Sequence, residues 1–312
     1  MNNFINEERK PVIIPTSDFT MKVIDSNLNT LKTKYIVPNV NGIEGRVTQL
    51  MNKQVMNELA FECGLTVPKS WEITLHNEDL SISDEIIYPC IVKPLSSVEG
   101  KKTDIVICQN RLELESSLLK LKEDYYRVLV QEYINGKDAK MIEIIGFVTI
   151  NNNEIIAPAI IEKVREYPLT GGSTSYAMAV KDSDYIDKGK IINLMERIQF
   201  NGIFDIEFKY ANGKTYFIEI NFRNGAPGYA LSKIGVNIPY LWYLEATGTN
   251  IDNMKKKIDK DFHFMMEARD LRHVFNGDIK LTTWIKDLIK TKAFLFINFR
   301  DMRPLISRLF KR

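Results

Sequence analysis

The stretch between Phe204 and Arg223 constrains the fold more than any other part of the chain. Residues 204–210 and 214–222 are rich in β-formers and flank Asn212-Gly213. An Asn-Gly pair between two such segments predicts a tight β-hairpin. Strand side chains alternate between faces. Glu219, Asn221 and Arg223 are therefore expected on one face together with Phe217, and Ile218, Ile220 and Phe222 on the other. Pairing across the turn brings Glu207 towards Glu219. Two carboxylates and an amide oxygen crowded together repel unless a cation sits between them. Mg²⁺ suits such ligands and keeps some water and substrate phosphate oxygens in its shell. Glu207, Glu219 and Asn221 are thus candidate ligands for a metal carrying a nucleotide triphosphate. Glu207 alone reads as an ordinary surface acid; the set with Arg223 reads as a site.

The chain has 312 residues, 45% apolar and 26% charged, which suits a soluble globular protein of one large domain or two to three small ones. A net charge of +2 without basic blocks argues against wholesale nucleic-acid binding. No apolar run is long enough to span a bilayer, and the first ten residues lack the apolar core of a secretory signal. Cys63, Cys90 and Cys108 lie far apart and read as reduced, packed thiols, so a cytoplasmic location is expected. His76, His263 and His273 have no metal-binding spacing.

Residues 11–15 read as a short buried strand, and 18–32 as a helix packed through Phe19, Val23, Ile24, Leu28 and Leu31. A second helix is predicted over 49–63, ending at Gly64. Strands are predicted at 86–94, 104–108, 127–134, 141–150 and 154–161, with helices near 111–122 and 185–198. Residues 165–175 read as a loop, and 251–312 as mostly helical with a basic end. The amphipathic stretch 300–312 suits a helix docked on its own domain or one touching acidic lipid. The order is mixed α+β with antiparallel hairpins, not a regular βαβ alternation.

Three further segments offer polar groups to a ligand. Lys93 ends an apolar strand before Pro94 and a loop containing Ser96, Ser97, Gly100, Lys101 and Lys102. A lysine so fixed can pair with phosphate, although a strand-end surface lysine looks the same. Gln131, Glu132, Tyr133 and Ile134 lie on a strand leaving the core, whose free backbone groups can take an adenine ring, with Asp138 placed for ribose hydroxyls. The same residues equally suit a strand end and turn. Arg165 precedes Gly171-Gly172-Ser173 and can clamp a carboxylate or γ-phosphate, while the glycines permit close backbone approach. A mobile surface loop is the plainer reading of that segment.

Taken in order, these parts resemble the ATP-grasp superfamily, in the branch of carboxylate–amine ligases similar to D-aspartate ligase, biotin carboxylase and the carbamoyl-phosphate synthase large subunit. The similarity covers about residues 45–248. Lys53, ahead of Gly64-Leu65-Thr66-Val67-Pro68, resembles the family's first ATP lysine and Lys93 the second. Gln131 to Ile134 resemble the adenine hinge, and Asp138 the ribose acid. Glu207, Glu219 and Asn221 resemble the magnesium ligands, and Arg223 the phosphate and substrate arginine. Arg165 with Gly171, Gly172 and Ser173 looks like a substrate and triphosphate loop.

The resemblance implies two α+β lobes with antiparallel sheets clasping ATP: a small lobe near 80–134 and a large lobe near 135–250, within an ATP-grasp domain at 49–250. Residues 1–48 would be a remnant of the family's N-terminal α/β domain and 251–312 a helical extension. ATP and Mg²⁺ (or Mn²⁺) are the implied cofactors, and a small-molecule carboxylate and an amine the implied substrates. Arg223, Arg165 and Lys93 are the implied catalytic residues. A carboxylate would attack the γ-phosphate, and an amine would displace phosphate from the acylphosphate. The short segment before Lys53 leaves room for self-association or a partner protein that completes it. An alternative is a non-catalytic or partner-dependent ATP-binding subunit.

Overall fold

The computed structural model describes residues 10–76, 80–96, 104–169, 171–298 and 300–310. The N-terminal part holds helices α1 (Asp18–Asp25) and α2 (Leu28–Leu31), strand β1 (Asn39–Val40), and helices α3 (Arg46–Leu50) and α4 (Lys53–Glu62). Strands β2 (Ser70–Thr74), β3 (Cys90–Pro94), β4 (Val106–Cys108) and β5 (Arg127–Glu132) follow, with α5 (Arg111–Leu121) before β5. Then come β6 (Lys140–Val148), β7 (Ile155–Tyr167), β8 (Ser173–Val180), α6 (Lys188–Ile198), β9 (Phe200–Ala211) and β10 (Lys214–Asn221). The last part holds α7 (Pro227–Lys233), α8 (Ile238–Ala246), β11 (Phe262–Met265), α9 (Glu267–Phe275), α10 (Leu281–Lys290), β12 (Thr291–Phe294) and α11 (Arg303–Phe310).

Among the described residues the strands form two sheets. The smaller has the order β2-β5-β3-β4 and is antiparallel throughout. Helix α5 covers it, through Leu114, Leu118 and Leu121 against Ile73, Val92 and Val130. The larger runs β1-β9-β6-β7-β8-β11-β12, with β10 also paired to β9. Its pairings are antiparallel except β11 with β12.

Helices cover both faces of the large sheet. On one face Met21, Leu28, Leu50 and Met56 from the N-terminal helices pack with Leu194 of α6 against Ile144, Ile206, Phe208 and Phe217. On the other, Leu231 of α7 and Ile238 and Trp242 of α8 pack on Ile145, Phe147, Ile161 and Ile203. This is the expected α+β arrangement of two lobes with antiparallel sheets.

Several boundaries differ from the sequence reading, each for a local reason. The helix expected over 18–32 breaks into α1 and α2, and packing uses Met21, Ile24 and Leu28 while Phe19 and Val23 are exposed. The sequence carries two overlapping apolar stripes there, and contact with the sheet selects one. Residues 11–14 make only an isolated bridge, Val12 to Ile36. The helix expected over 49–63 divides because Asn52 turns extended, its side chain accepting from the N–H groups of Gln54 (2.9 Å) and Val55 (3.2 Å). The strand expected from 86 begins at Cys90. The loop expected over 165–175 narrows, because β7 runs to Tyr167 and β8 begins at Ser173. The segment after 251, expected to be helical, also supplies β11 and β12 to the large sheet.

Candidate functional site

A cavity of about 410 Å³ lies between the two sheets. One of its walls is the hairpin of β9 and β10. Asn212 and Gly213 take φ of 52° and 76°, the left-handed pair that a two-residue hairpin turn needs. The turn sets Lys214 opposite Ala211 and Phe217 opposite Phe208, and a register shift beyond Phe217 then places Glu219 opposite Glu207 and Asn221 opposite Asp205. Glu207, Glu219, Asn221 and Arg223 all line the cavity.

Simple alternation fails at one point. A bulge between Phe217 and Glu219 shifts the register, and an extra residue in one strand reverses the parity of what precedes it. Phe217 is therefore buried with Ile220 and Phe222 in the core, and Ile218 lines the cavity beside Glu219. The expected grouping of Phe217 with the polar face, and of Ile218 with the core, is corrected on this ground.

Cations come from several elements. Lys53 is the first residue of α4, held by the Asn52 cap and by its own N–H donating to the Leu95 carbonyl (3.0 Å); its Nζ lies 3.7 Å from Glu219 Oε2. Lys93 is buried near the end of β3 and donates to Gln131 Oε1 (2.8 Å). Burial, and then the nearby Lys53 cation, push its ammonium down to about 8, against the opposing pull of Glu219 and Glu207. Arg223 Nε lies 3.2 Å from Asp18 Oδ1, and its Nη1 lies 3.6 Å from Asp205 Oδ2. Asp18 is set at the start of α1 by the Ser17 cap, so the N-terminal segment reaches the cavity.

Ser96, Gln131, Glu132, Tyr133 and Ile134 line the opposite wall. The free hinge groups expected at 131–134 are partly committed: the N–H groups of Glu132 and Tyr133 donate to the Lys69 and Pro89 carbonyls (2.8 and 3.0 Å). Ser97 and the rest of the expected phosphate loop lie outside the described residues. Gly171, Gly172 and Ser173 line the cavity. A Cβ on Gly172 would sit 2.0 Å from the Pro168 carbonyl oxygen, so only glycine fits this turn.

Two expected residues lie elsewhere. Asp138 is exposed, and its Oδ1 accepts from the Asn212 N–H (3.1 Å), steadying the hairpin tip instead of lining the cavity. Arg165 is committed to the C-terminal helices. Its Nε and Nη2 donate to the two Asp270 oxygens (3.0 and 2.7 Å), and its Nη1 donates to Asp287 (2.7 Å). Register shifts in β7 on both sides of Arg165 turn it away from the cavity while Lys163 and Glu166 line it.

The sequence reading missed Lys163, Glu143 and Asp205. Lys163 Nζ lies 2.7 Å from Glu143 and 3.0 Å from Glu207. Burial opposes its charge, but the two carboxylates outweigh burial and hold the ammonium well above its usual range. Burial raises Asp205 and Glu207, and the neighbouring carboxylates raise them further. A lone acid within an apolar strand, such as Glu143 in Lys140–Val148, was the available signal.

This donor set fits a divalent cation. The carboxylate oxygens Glu143 Oε2 and Asp205 Oδ1 are buried at that wall without hydrogen-bond partners, and such hard oxygen donors suit a divalent cation. Among the described residues no three His, Cys, Asp or Glu side chains form a ready-made metal cage. Among the described residues no helix is long and apolar enough to cross a membrane.

The comparisons agree with this geometry. The carbamoyl phosphate synthase large chain of Clostridium acetobutylicum is 25% identical over 214 residues, covering 67% of this chain and 20% of that one. The chain spans about a fifth or less of the length of the curated relatives it matches. Biotin carboxylase from Campylobacter jejuni superposes with a TM-score of 0.64 at 16% identity, covering 81% of this chain and 58% of that one. N5-carboxyaminoimidazole synthetase from Staphylococcus aureus superposes at 0.59 with 21% identity, covering 81% and 65%. At these identities the superpositions establish the fold alone. A family model for the ATP-grasp domain matches residues 51–227, more than half of the chain. With that match, and with two antiparallel sheets closing on one charged cavity, the chain belongs to the ATP-grasp family.

Proposed function

We propose that the protein is an ATP-dependent ligase that activates a carboxylate as an acylphosphate and joins it to an amine, releasing ADP and phosphate. One observation carries this reading: Lys53, Lys93, Glu207, Glu219, Asn221 and Arg223, from distant parts of the sequence, line one cavity between the sheets. The adenine would lie along Gln131 to Ile134 and the triphosphate along Lys53, Lys93 and Ser96. Glu207, Glu219 and Asn221 would hold Mg²⁺ or Mn²⁺. When bound, that metal supplies positive charge to the transferring phosphoryl oxygens.

The chain's own residues do the remaining work by position and charge. Lys53 and Lys93 neutralise the phosphates. Arg223, oriented by Asp18 and Asp205, faces the carboxylate and the transferring group. The turn at Gly171-Gly172 lines the cavity, and with nucleotide bound it would help to keep out the water that hydrolyses an acylphosphate. Lys163 keeps Glu143 and Glu207 apart and balanced. Arg165 supports the wall instead of touching substrate.

The test is Glu219→Ala. Turnover, followed as ADP release with a pool of carboxylates and amines, is expected to fall roughly a thousandfold, with a smaller loss of nucleotide affinity. Full activity in that variant would refute the metal assignment. Nucleotide binding by the unaltered protein without ADP release from any substrate pool would instead favour a non-catalytic or partner-dependent subunit.

A further inference from the structure

The C-terminal part of the chain carries a charge and a surface that the cavity does not use. Residues 279–312 hold nine Lys and Arg against two Asp, a net +7 in a chain whose total is +2, so the remaining residues sum to −5. Within this segment α10 buries none of its residues fully. Its inner side is set by half-buried Trp284 and Leu288 and by Asp287, which pairs with Arg165. Around the helix from there, Leu281, Ile285 and Ile289 follow at four-residue spacing and are 53%, 44% and 79% exposed. Exposed Lys286 and Lys290 lie on the next side of the helix, and exposed Lys280 and Lys292 flank its ends.

Scattered exposed aliphatics are ordinary, but a continuous stripe along one helix marks a contact surface. An aliphatic stripe bordered by lysines is the pattern of a helix lying in the headgroup region of an anionic bilayer. We propose that α10 and the basic segment around it seat the protein on an anionic lipid surface. The charge partition favours a bilayer over a second copy of the chain. A two-fold contact through α10 would bring one +7 segment against another, whereas acidic headgroups complement it and repel the negative remainder, orienting the molecule. The bidentate hold of Arg165 on Asp270 and its bond to Asp287 fasten α10 to the body, so docking would carry the whole catalytic unit.

The test is flotation of the full-length protein with phosphatidylcholine vesicles and with vesicles in which a third of the lipid is phosphatidylglycerol. Binding is expected only to the anionic vesicles and weakens in high salt. The double substitution Ile285→Glu/Ile289→Glu is expected to lower partitioning about tenfold or more, with nucleotide-induced thermal stabilisation retained as the control for folding. Should that variant misfold, Ile285→Ser/Ile289→Ser gives a graded loss in the same assay. Equal binding to both vesicle types, absence of binding, or unchanged binding by a folded variant overturns the proposal. So does a concentration-dependent dimer in sedimentation that the same substitutions dissolve, which would assign the stripe to a second copy.

Discussion

Lys93 shows how one side chain can report on the site. Its ammonium is pushed down to about 8 by burial and then by Lys53. It is therefore cationic below that pH and loses its proton as pH rises through it. Phosphate oxygens beside it would restore the proton. Nucleotide affinity is expected to be full below pH 8 and to decline above it, with net proton uptake on binding near pH 8. Calorimetry in buffers of different ionisation heat measures the uptake, and Lys93→Met should bind more weakly and without it. Wild-type binding with no proton uptake would place the triphosphate away from Lys93. Arg165 makes the opposite case. Its guanidinium holds Asp270, which is 0% exposed, so Arg165→Ala leaves a buried carboxylate without its counter-charge, with the Ser175 hydroxyl still donating to it (2.7 Å). The expected cost is about 3 kcal/mol in denaturant unfolding, with the KM for nucleotide little changed in the protein that remains folded. A variant of full stability with a large rise in KM would return Arg165 to the substrate.

At the scale of the element, the hairpin was legible and its irregularities were not. Asn212-Gly213 and the flanking β-formers specify the turn, but the turn's own register would set Ile218 opposite Glu207, and the bulge after Phe217 is what brings Glu219 there. The bulge before Glu219 and the shifts around Arg165 depend on how the strands twist against their neighbours, which no local pattern records. Two differences from the sequence reading follow from that cause: Phe217 assigned to the polar face, and Arg165 assigned to the cavity. The bulge makes a clear prediction. Phe217→Ala empties a fully buried core position and is expected to cost about 3–5 kcal/mol. Ile218→Ala, at the half-buried cavity wall, is expected to cost about 1 kcal/mol or less in stability and to act mainly on nucleotide affinity. Strict alternation would reverse the two results, and denaturant unfolding of both variants separates the alternatives.

At the scale of the molecule, the cavity exists only because two sheets built from separate stretches face one another. A ligand bound there ties both lobes to the folded state. ATP with Mg²⁺ at about a hundred times its Kd is expected to stabilise the protein by about 2.7 kcal/mol, or about 4 °C in melting temperature. Chelating the metal should remove most of that shift, because the acids at the hairpin then repel the triphosphate. An equal shift with chelator present would show that nucleotide binding does not use Glu207, Glu219 and Asn221. The sequence by itself determined most element types before residue 250, the hairpin turn and the order of the cavity-lining segments, because turn chemistry and apolar patterning act between near neighbours. Tertiary structure alone decided which apolar stripe of the first helix is buried, that β11 and β12 join the large sheet, and that Lys163 stands between Glu143 and Glu207. It also decided which way Phe217 and Arg165 point. Those outcomes depend on contacts between residues far apart in the chain, where strand twist and charge balance, not local preference, set the lowest free energy.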